Sequence, residues 1–395
     1  HLRDNVFAQF VWRELGPVQS GGRVVDLAVH PTRPQVFWVA AASGGLFRTD
    51  DGGVTFEPQF QNAYSISIGD ICVAPSAPDV LYVGTGEANN QRSSYWGDGV
   101  HKSDDGGRTF RHTGLAGTEH IGRIVVHPTN PDIVYVAALG ALYRANDERG
   151  VYKTSDGGRT WQRVHHLGPD VGFVDLALHP QDPDTVFAAS YERRRRAWHF
   201  HEGGEGSRLW KSNDAGATWQ KLEQGLPQGR LGRIGIEPFA KDGQTLYATI
   251  ENLNPRAPAP APTAEPSADE PREHDGEPEP TAELLADPVA RAMFEARAEA
   301  ELHEAQDPVR RSRPRVQGGE VYRSDDGGAS WRKTHDESVR IGGSPGYYYG
   351  QVRVDPNDRD TVYVLSVPVH RSTDGGKTCT PRRGAGTPFA DSLPV

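Results

Sequence analysis

Apolar and polar residues alternate along this chain in short runs that come in pairs around a proline turn, as in DLAVHPTRPQVFWVA, DICVAPSAPDVLYVG, RIVVHPTNPDIVYVA and DLALHPQDPDTVFAA. The period of two, the β-branched enrichment and the bounding Pro, Asn and Asp residues predict two strands, A and B, joined by a tight turn. Downstream of each pair, a run such as GVYKT predicts strand C, and a run opening on an aromatic, as in TWQRV, predicts strand D. Between C and D one octapeptide pattern recurs six times: TDDGGVTF, SDDGGRTF, TSDGGRTW, SNDAGATW, SDDGGASW and STDGGKTC. Its third residue is Asp51, Asp105, Asp156, Asp214, Asp326 and Asp374, at intervals of 54, 51, 58, 112 and 48 residues. Removing residues 255–317 from the long interval leaves 49 and restores the period. Four short antiparallel strands per repeat of ~50 residues predict an all-β fold, a β-propeller of four-stranded blades.

The octapeptide has a physical reading. Its Asp accepts hydrogen bonds from backbone N–H groups in the C to D turn, its glycines supply positive φ, and its aromatic packs inward. A calcium loop would need carboxylates at several alternate positions and a terminal Glu, which the pattern lacks, so no metal is expected there.

Composition narrows the picture further. The chain has 395 residues with 45 Gly and 30 Pro, which suits many strands joined by tight turns. Its formal charge of −10 gives no reason to expect nucleic acid. No run approaches the ~18 apolar residues of a membrane span. Cys72 and Cys379 are the two cysteines, too few for a disulfide scaffold or a cysteine zinc cluster. Neither is expected to be a nucleophile, since Cys72 falls on a buried strand and Cys379 replaces the octapeptide aromatic. No phosphate-binding glycine loop, G-x-S-x-G or H-E-x-x-H pattern occurs, and no cofactor is expected.

Residues 255–317 carry 14 acidic and 8 basic side chains and stand outside the repeat. Eight prolines within 255–280 predict a linker without fixed structure. From Thr281 to Gln306 an amphipathic helix is expected, with Asp287 and Pro288 at its N-cap and first position and Val289, Met293, Ala296 and Ala300 at helical spacing. The domain reading is therefore one propeller over 1–395, with 255–317 inserted in the fifth unit between strands B and C. The N-terminal FVWRELGP run, residues 10–17, reads as a strand D with no A, B or C strand before it. Either the array continues into a seventh blade or longer, which is the expectation, or this run completes the sixth unit.

The six S/T-x-D-x-G-x-T-W/F copies resemble Asp-boxes, the BNR repeats of sialidases, of xyloglucan-cleaving glycoside hydrolases and of sortilin-type receptor propellers. With the HPxxP turns they are similar to bacterial BNR-repeat proteins labelled glycosyl hydrolase or sortilin N-terminal domain-containing. The resemblance implies the propeller fold; this fold serves hydrolases and binding proteins alike. The xyloglucan-cleaving family places a catalytic Asp just before a Gly-Gly pair in its first blade, and Ala42 stands at that place here. The sialidase F/Y-R-I-P tetrapeptide does not occur, and two cysteines cannot supply the cysteine-rich module of the sortilin-type receptors.

Antiparallel strand order puts the A to B and C to D turns on one face and the B to C and D to A loops on the other. His30, His127 and His179 precede turn prolines on the first face and read as turn residues. The second face receives the long loops 84–99, 115–123, 189–207 and 342–351, which hold Glu87, Arg92, Tyr95, Trp96, His120, Tyr191, Trp198 and Tyr348. Five residues before the closing proline of each strand A stand Asp26, Asp70, Arg123, Asp175, Arg233 and Gln351, expected to ring the mouth of the central channel on this second face and either satisfy one another or meet a polar ligand. The candidate ligand-binding set is Asp70, Glu87, Arg92, Trp96, His120, Arg123, Asp175, Arg233 and Tyr348. The expected function is a secreted or periplasmic glycan- or peptide-binding or scaffold propeller. The alternative is a glycoside hydrolase using a carboxylate pair drawn from Asp26, Asp70, Asp175 and Glu87.

Overall fold

The computed structural model describes residues 22–63, 65–89, 93–256, 316–336, 341, 346–366 and 369–382. Each unit of the sequence period forms one four-stranded antiparallel sheet with its strands in chain order. Blade one holds β1 (Val24–Val29), β2 (Phe37–Ala41), β3 (Gly45–Thr49) and β4 (Glu57–Pro58); blade two holds β5 (Ile68–Val73), β6 (Leu81–Thr85), β7 (Val100–Ser103) and β8 (Arg111–Gly114). Blade three is β9 (Ile121–Val126), β10 (Val134–Ala138), β11 (Gly150–Thr154) and β12 (Gln162–His165). Blade four is β13 (Val171–Leu178) and β14 (Val186–Glu192), a small hairpin of β15 (Arg194–Arg195) and β16 (Phe200–His201), then β17 (Leu209–Ser212) and β18 (Gln220–Leu222). Blade five is β19 (Leu231–Pro238), β20 (Leu246–Pro255), β21 (Val316–Ser324) and β22 (Arg332–Lys333); blade six is β23 (Gln351–Val354), β24 (Val362–Leu365), β25 (Val369–Ser372) and β26 (Thr380–Arg382). This is an all-β, six-bladed propeller, and the helical content among the described residues is one 3-10 turn, Ala116–Thr118.

The chain divides into two compact units, residues 1–254 with 318–395, and residues 255–317. The second unit joins β20 to β21, so it falls between strands B and C of blade five. The helix expected over 281–306 and the N-terminal run 10–17 lie outside the described residues. In blade six, β26 pairs with β25, so the sixth unit supplies its own strand D.

Every octapeptide closes in the same way. The Ser or Thr two residues before the Asp donates to its Oδ1 at 2.7–2.8 Å. The N–H four residues after it donates to Oδ1 at 2.8–2.9 Å, and the hydroxyl of that same residue donates to Oδ2 at 2.5–2.7 Å. The N–H and hydroxyl of Thr160 draw the Asp156 carboxyl down to about 2. Five copies put glycine at both turn positions with φ between +67 and +92°, whereas the fourth holds Ala215 at +56°.

The turns also lock neighbouring blades together. Arg48 of blade one donates to the Gly106 carbonyl of the blade-two octapeptide at 3.0 Å, Lys153 to Ala215 at 2.9 Å and Lys211 to Gly327 at 2.8 Å. The aromatic opening strand D leans the opposite way: Trp161 Nε1 donates to Thr113 O of blade two at 2.9 Å, and Phe110 packs edge-on against Phe60. Phe56 of blade one departs from the inward packing expected of these aromatics, being 47% exposed. The turn histidines behave as their spacing predicts, each ring Nδ1 accepting an N–H at 3.2–3.3 Å, from Thr32 to His30, Thr129 to His127 and Gln181 to His179.

Candidate ligand site on the long-loop face

The six inner strands β1, β5, β9, β13, β19 and β23 follow one another around the axis. In five of them the pairing with strand B slips by one residue or more at the polar residue of the ring or just beside it, between Val24 and Asp26, Ile68 and Asp70, Phe173 and Asp175, in the Ile121–Arg123 stretch, and between Leu231 and Ile234. A bulge re-aims the side chain that follows it. Glycine just before Asp70 and Arg123 lets adjacent strands touch: a Cβ on Gly69 would lie 2.1 Å from the Ile121 carbonyl, and one on Gly122 2.5 Å from that of Val174.

The re-aimed carboxylates reach across to the next blade. Asp26 accepts the Ile71 N–H at 3.3 Å, Asp70 that of Ile124 at 2.6 Å and Asp175 that of Ile236 at 3.0 Å. Arg123 sits between two of them, its Nη1 2.9 Å from Asp70 Oδ1 and its Nε 2.9 Å from Asp175 Oδ1, with Asp26 at 3.9 Å. Burial pulls the Arg123 guanidinium down, yet Asp70, Asp175 and Asp26 hold it well above its ordinary value. Asp70 and Asp175 therefore spend both carboxylate oxygens inside the protein.

Above this ring the long loops converge. Arg193 Nη1 donates to Ala88 O at 3.2 Å, which joins loop 189–207 to loop 84–99. His120 Nδ1 donates to Glu87 O at 2.8 Å, and Phe200 meets Tyr347 edge-on at 4.7 Å between ring centroids. Arg233 bridges two loops, its Nη1 donating to Asn89 Oδ1 at 2.6 Å and to Tyr348 O at 3.3 Å. From them a cavity of about 630 Å³ runs between blade one and blade six, walled by Asn89, Arg233, Tyr348 and Tyr349 at the loops, by Asp26 and Arg353 further in, and by Asp355, Pro356 and Asn357 at the A to B turn of blade six. Tyr348 and Tyr349 stand at 68° with centroids 4.8 Å apart.

Asp70, Arg123 and Asp175 belong to the ring, and the other described residues singled out from the sequence fall into three groups. Arg233 and Tyr348 line the cavity. Trp96 is 67% exposed on loop 84–99, beside Tyr95 at 56%, and Trp198 is 80% exposed on loop 189–207. Glu87 and His120 are buried. Glu87 takes Arg23 in a two-point ion pair at 3.2 and 2.6 Å, while burial, reinforced by Arg193, pulls the His120 imidazole down to about 3. Their polar atoms hold the loops together, and His120 stands in its neutral form. Arg92 lies outside the described residues.

Sequence reasoning missed three groups. Asn89 and Arg353 face the cavity without any repeat signal. Arg193 is fully buried within the RRRR run, its Nε and Nη2 without partners among the described residues; burial and Arg149 bring it down to about 9. Glu251, midway along β20, is half-buried against Gly346, where a Cβ would lie 2.2 Å from its carboxyl carbon. Burial and Glu202 lift its carboxyl to about 7 against hydrogen bonds from the Arg233 and Gly346 backbone. Its Oε2 has no partner among the described residues. A glutamate following the apolar run Leu246–Ile250 of strand B was the available signal.

Comparison with known proteins bears on this arrangement. The Sortilin-Vps10 family model, described as sortilin, neurotensin receptor 3, matches residues 98–252. A xyloglucanase of a Paenibacillus species is 22% identical over 273 residues, covering 62% of this chain and 25% of that protein. A Hypocrea jecorina xyloglucanase is 24% identical over 246 residues, covering 54% of this chain and 28% of the other. A Fusarium vanettenii vacuolar protein sorting/targeting protein 10 is 30% identical over 84 residues, 21% of this chain and 5% of the other. The chain thus spans only about a quarter of the length of the xyloglucanases it matches. Among solved structures, the xyloglucanase of Xanthomonas campestris superposes with a TM-score of 0.55 at 16% identity, over 89% of this chain and 45% of that one. At that identity the likeness shows the fold. The chain is an Asp-box β-propeller, similar in sequence to xyloglucanases and, over residues 98–252, to the Sortilin-Vps10 family.

Proposed function

We propose that the protein binds a glycan on its long-loop face, as a secreted or periplasmic binding or scaffold propeller. The observation that carries this reading is the cavity of about 630 Å³ where tyrosine faces stand beside charged and amide groups. Sugar rings present apolar faces and a rim of hydroxyls, which aromatic platforms with nearby hydrogen-bonding groups complement. The xyloglucanases among its relatives support a carbohydrate over a peptide. Among the described residues no helix is long and apolar enough to cross a membrane.

A hydrolase is the second reading, and Glu251 is the observation that favours it. A carboxyl lifted to about 7 is protonated in about half the molecules at neutral pH, in the range a general acid needs. Against it, Asp70, Asp175 and Glu87 are occupied by arginines and backbone N–H groups, which leaves Asp26, 3.9 Å from Arg123 and on the cavity wall, as the remaining carboxylate of the candidate set. The test is a polysaccharide and peptide binding array run beside a turnover assay for released reducing ends. Saturable glycan binding without turnover is the expected result. Turnover abolished by Glu251→Gln would establish the hydrolase instead, and binding confined to peptides would remove the glycan assignment.

A further inference from the structure

The repeat makes one site stand out, because six equivalent positions can be compared. In strands C and D the same cross-strand pair recurs in every blade: Phe47 with Pro58, His101 with His112, Tyr152 with Arg163, Trp210 with Lys221, Tyr322 with Lys333 and His370 with Pro381. Three blades set an aromatic against a cation, and two set an aromatic or His against proline. Blade two alone sets histidine against histidine. It also places Asp98 five residues before the octapeptide Ser, where the other units carry Gly44, Arg149, Ser207, Gly319 and Val367.

These three side chains meet. Asp98 Oδ1 lies 2.9 Å from His101 Nε2, the two imidazoles stand 5.1 Å apart between centroids, and the donor atoms of all three residues fall within 4.8 Å of one another. His101 is buried, Asp98 is half-buried and His112 is exposed, so the cluster opens to solvent on one side. Its inner wall is apolar: Phe60 packs edge-on against His101 at 5.1 Å. Asp98 is held from behind by the Thr85 hydroxyl at 3.0 Å, and its own N–H returns to that hydroxyl at 2.8 Å. Oriented carboxylate and imidazole ligands in an apolar shell are what a divalent transition metal requires.

We infer that Asp98, His101 and His112 bind one zinc-class ion at the junction of loop 84–99 with blade two. Zinc takes imidazole nitrogen and carboxylate oxygen at about 2.0–2.2 Å in a tetrahedron, so its ligand atoms lie ~3.3 Å apart. Asp98 Oδ1 and His101 Nε2 stand 2.9 Å apart, all three donor atoms lie within 4.8 Å of one another, and His112 is held at the site by its Nε2, which donates to the Asp98 carbonyl at 2.7 Å. Both imidazoles bind as neutral rings. The hydrogen on the nitrogen that takes the metal moves to the other ring nitrogen, and water fills the fourth position. Since Asp98 ends the loop that carries Tyr95 and Trp96, the ion would clamp that loop to the blade.

The test uses the full chain after dialysis against a chelator. Zinc is titrated by calorimetry and cobalt(II) is followed by visible absorption. The expected result is one ion per chain, an intense tetrahedral cobalt spectrum and a raised melting temperature. His112→Gln and His101→Phe, the latter restoring the residue type of blade one, should each weaken zinc by about tenfold or more. His199→Gln, an exposed histidine elsewhere, should leave the affinity unchanged. Because His112 is exposed on an outer strand, His112→Gln keeps the test valid should His101→Phe fail to fold. No saturable binding, or zinc binding that His112→Gln leaves intact, would overturn the site.

Discussion

On the turn face, six octapeptides place the same hydrogen bonds around the same carboxylate, to within 0.2 Å for each bond type. On the opposite face no two blades present the same loop, and contacts such as Arg233 to Asn89 or Arg193 to Ala88 join residues more than a hundred positions apart. Between the faces lies the ring, where the same side chain, aspartate, again accepts backbone N–H groups, but across blades, with Asp70 and Asp175 buried and Asp26 half-buried. Repetition therefore marks what the ring of blades needs to stand. Departures from repetition fall at the cavity and at the two histidines of blade two, the places proposed to meet a ligand and an ion.

Damage to the ring should be the most severe test of this comparison. Arg123→Met leaves Asp70 and Asp175 buried without their cation, and stripping one partner from such a cluster costs about 3–5 kcal/mol. Chemical denaturation should show that loss, and Arg123→Lys should recover only part of it, because an ammonium cannot face two carboxylates as a planar fork does. A loss no larger than that of a turn variant would mean that the ring is wet and carries little of the stability.

The turn face should respond more mildly and with a defined pH dependence. Asp326→Ala removes a cap-like set of bonds and should destabilise by ~0.5–2 kcal/mol at neutral pH. Burial, the largest single influence, raises the Asp326 carboxyl, but the Ser330 hydroxyl and N–H and the Ser324 hydroxyl together outweigh it and bring it down to about 2. A carboxyl depressed in the folded state stabilises above its unfolded value near 4 and loses that stabilisation as pH falls toward 2. The gap between wild type and Asp326→Ala should accordingly close over that interval in acid denaturation. Calcium and chelator should leave the melting temperature of His112→Gln unchanged, which keeps these turns distinct from the proposed ion site.

The smallest expected effect has the opposite sign. Ala215 holds a left-handed conformation at φ +56° where the other five octapeptides have glycine. Relief of that strain, about 1–2 kcal/mol, exceeds the extra chain entropy of glycine, roughly 0.5–1 kcal/mol, by a small margin. Ala215→Gly should raise the melting point slightly without altering any binding.

How much of this was legible in the sequence follows from the range of each interaction. The octapeptide closes within five residues, so Asp156 and Thr160 announce their turn directly, and the strand order and the place of the insert between β20 and β21 follow from the period. The ring was legible as six aligned polar residues, but not its pairing, because the bulges that aim Asp70 and Asp175 at the next blade depend on contact between strands. Glu87 and His120 were read as loop residues available to a ligand. Arg23, distant in sequence, and the carbonyl of Glu87 claim them instead. Asn89, Arg353 and Glu251 gained their places only when loops from different blades closed together. The His101 and His112 pair was readable in principle, since the repeat aligns both positions, but only the register between β7 and β8 turns two histidines into neighbours.

The most direct measurement compares two variants against whichever glycan the array identifies, using calorimetry on the folded full chain. Tyr348→Ala, on the cavity wall, should weaken binding by about tenfold or more, as expected for losing an aromatic platform of some 2 kcal/mol at a binding hot spot. His127→Ala, in a turn of the opposite face, should leave affinity within error while lowering stability. Binding that is lost in His127→Ala and intact in Tyr348→Ala would contradict the assignment of the ligand to the long-loop face.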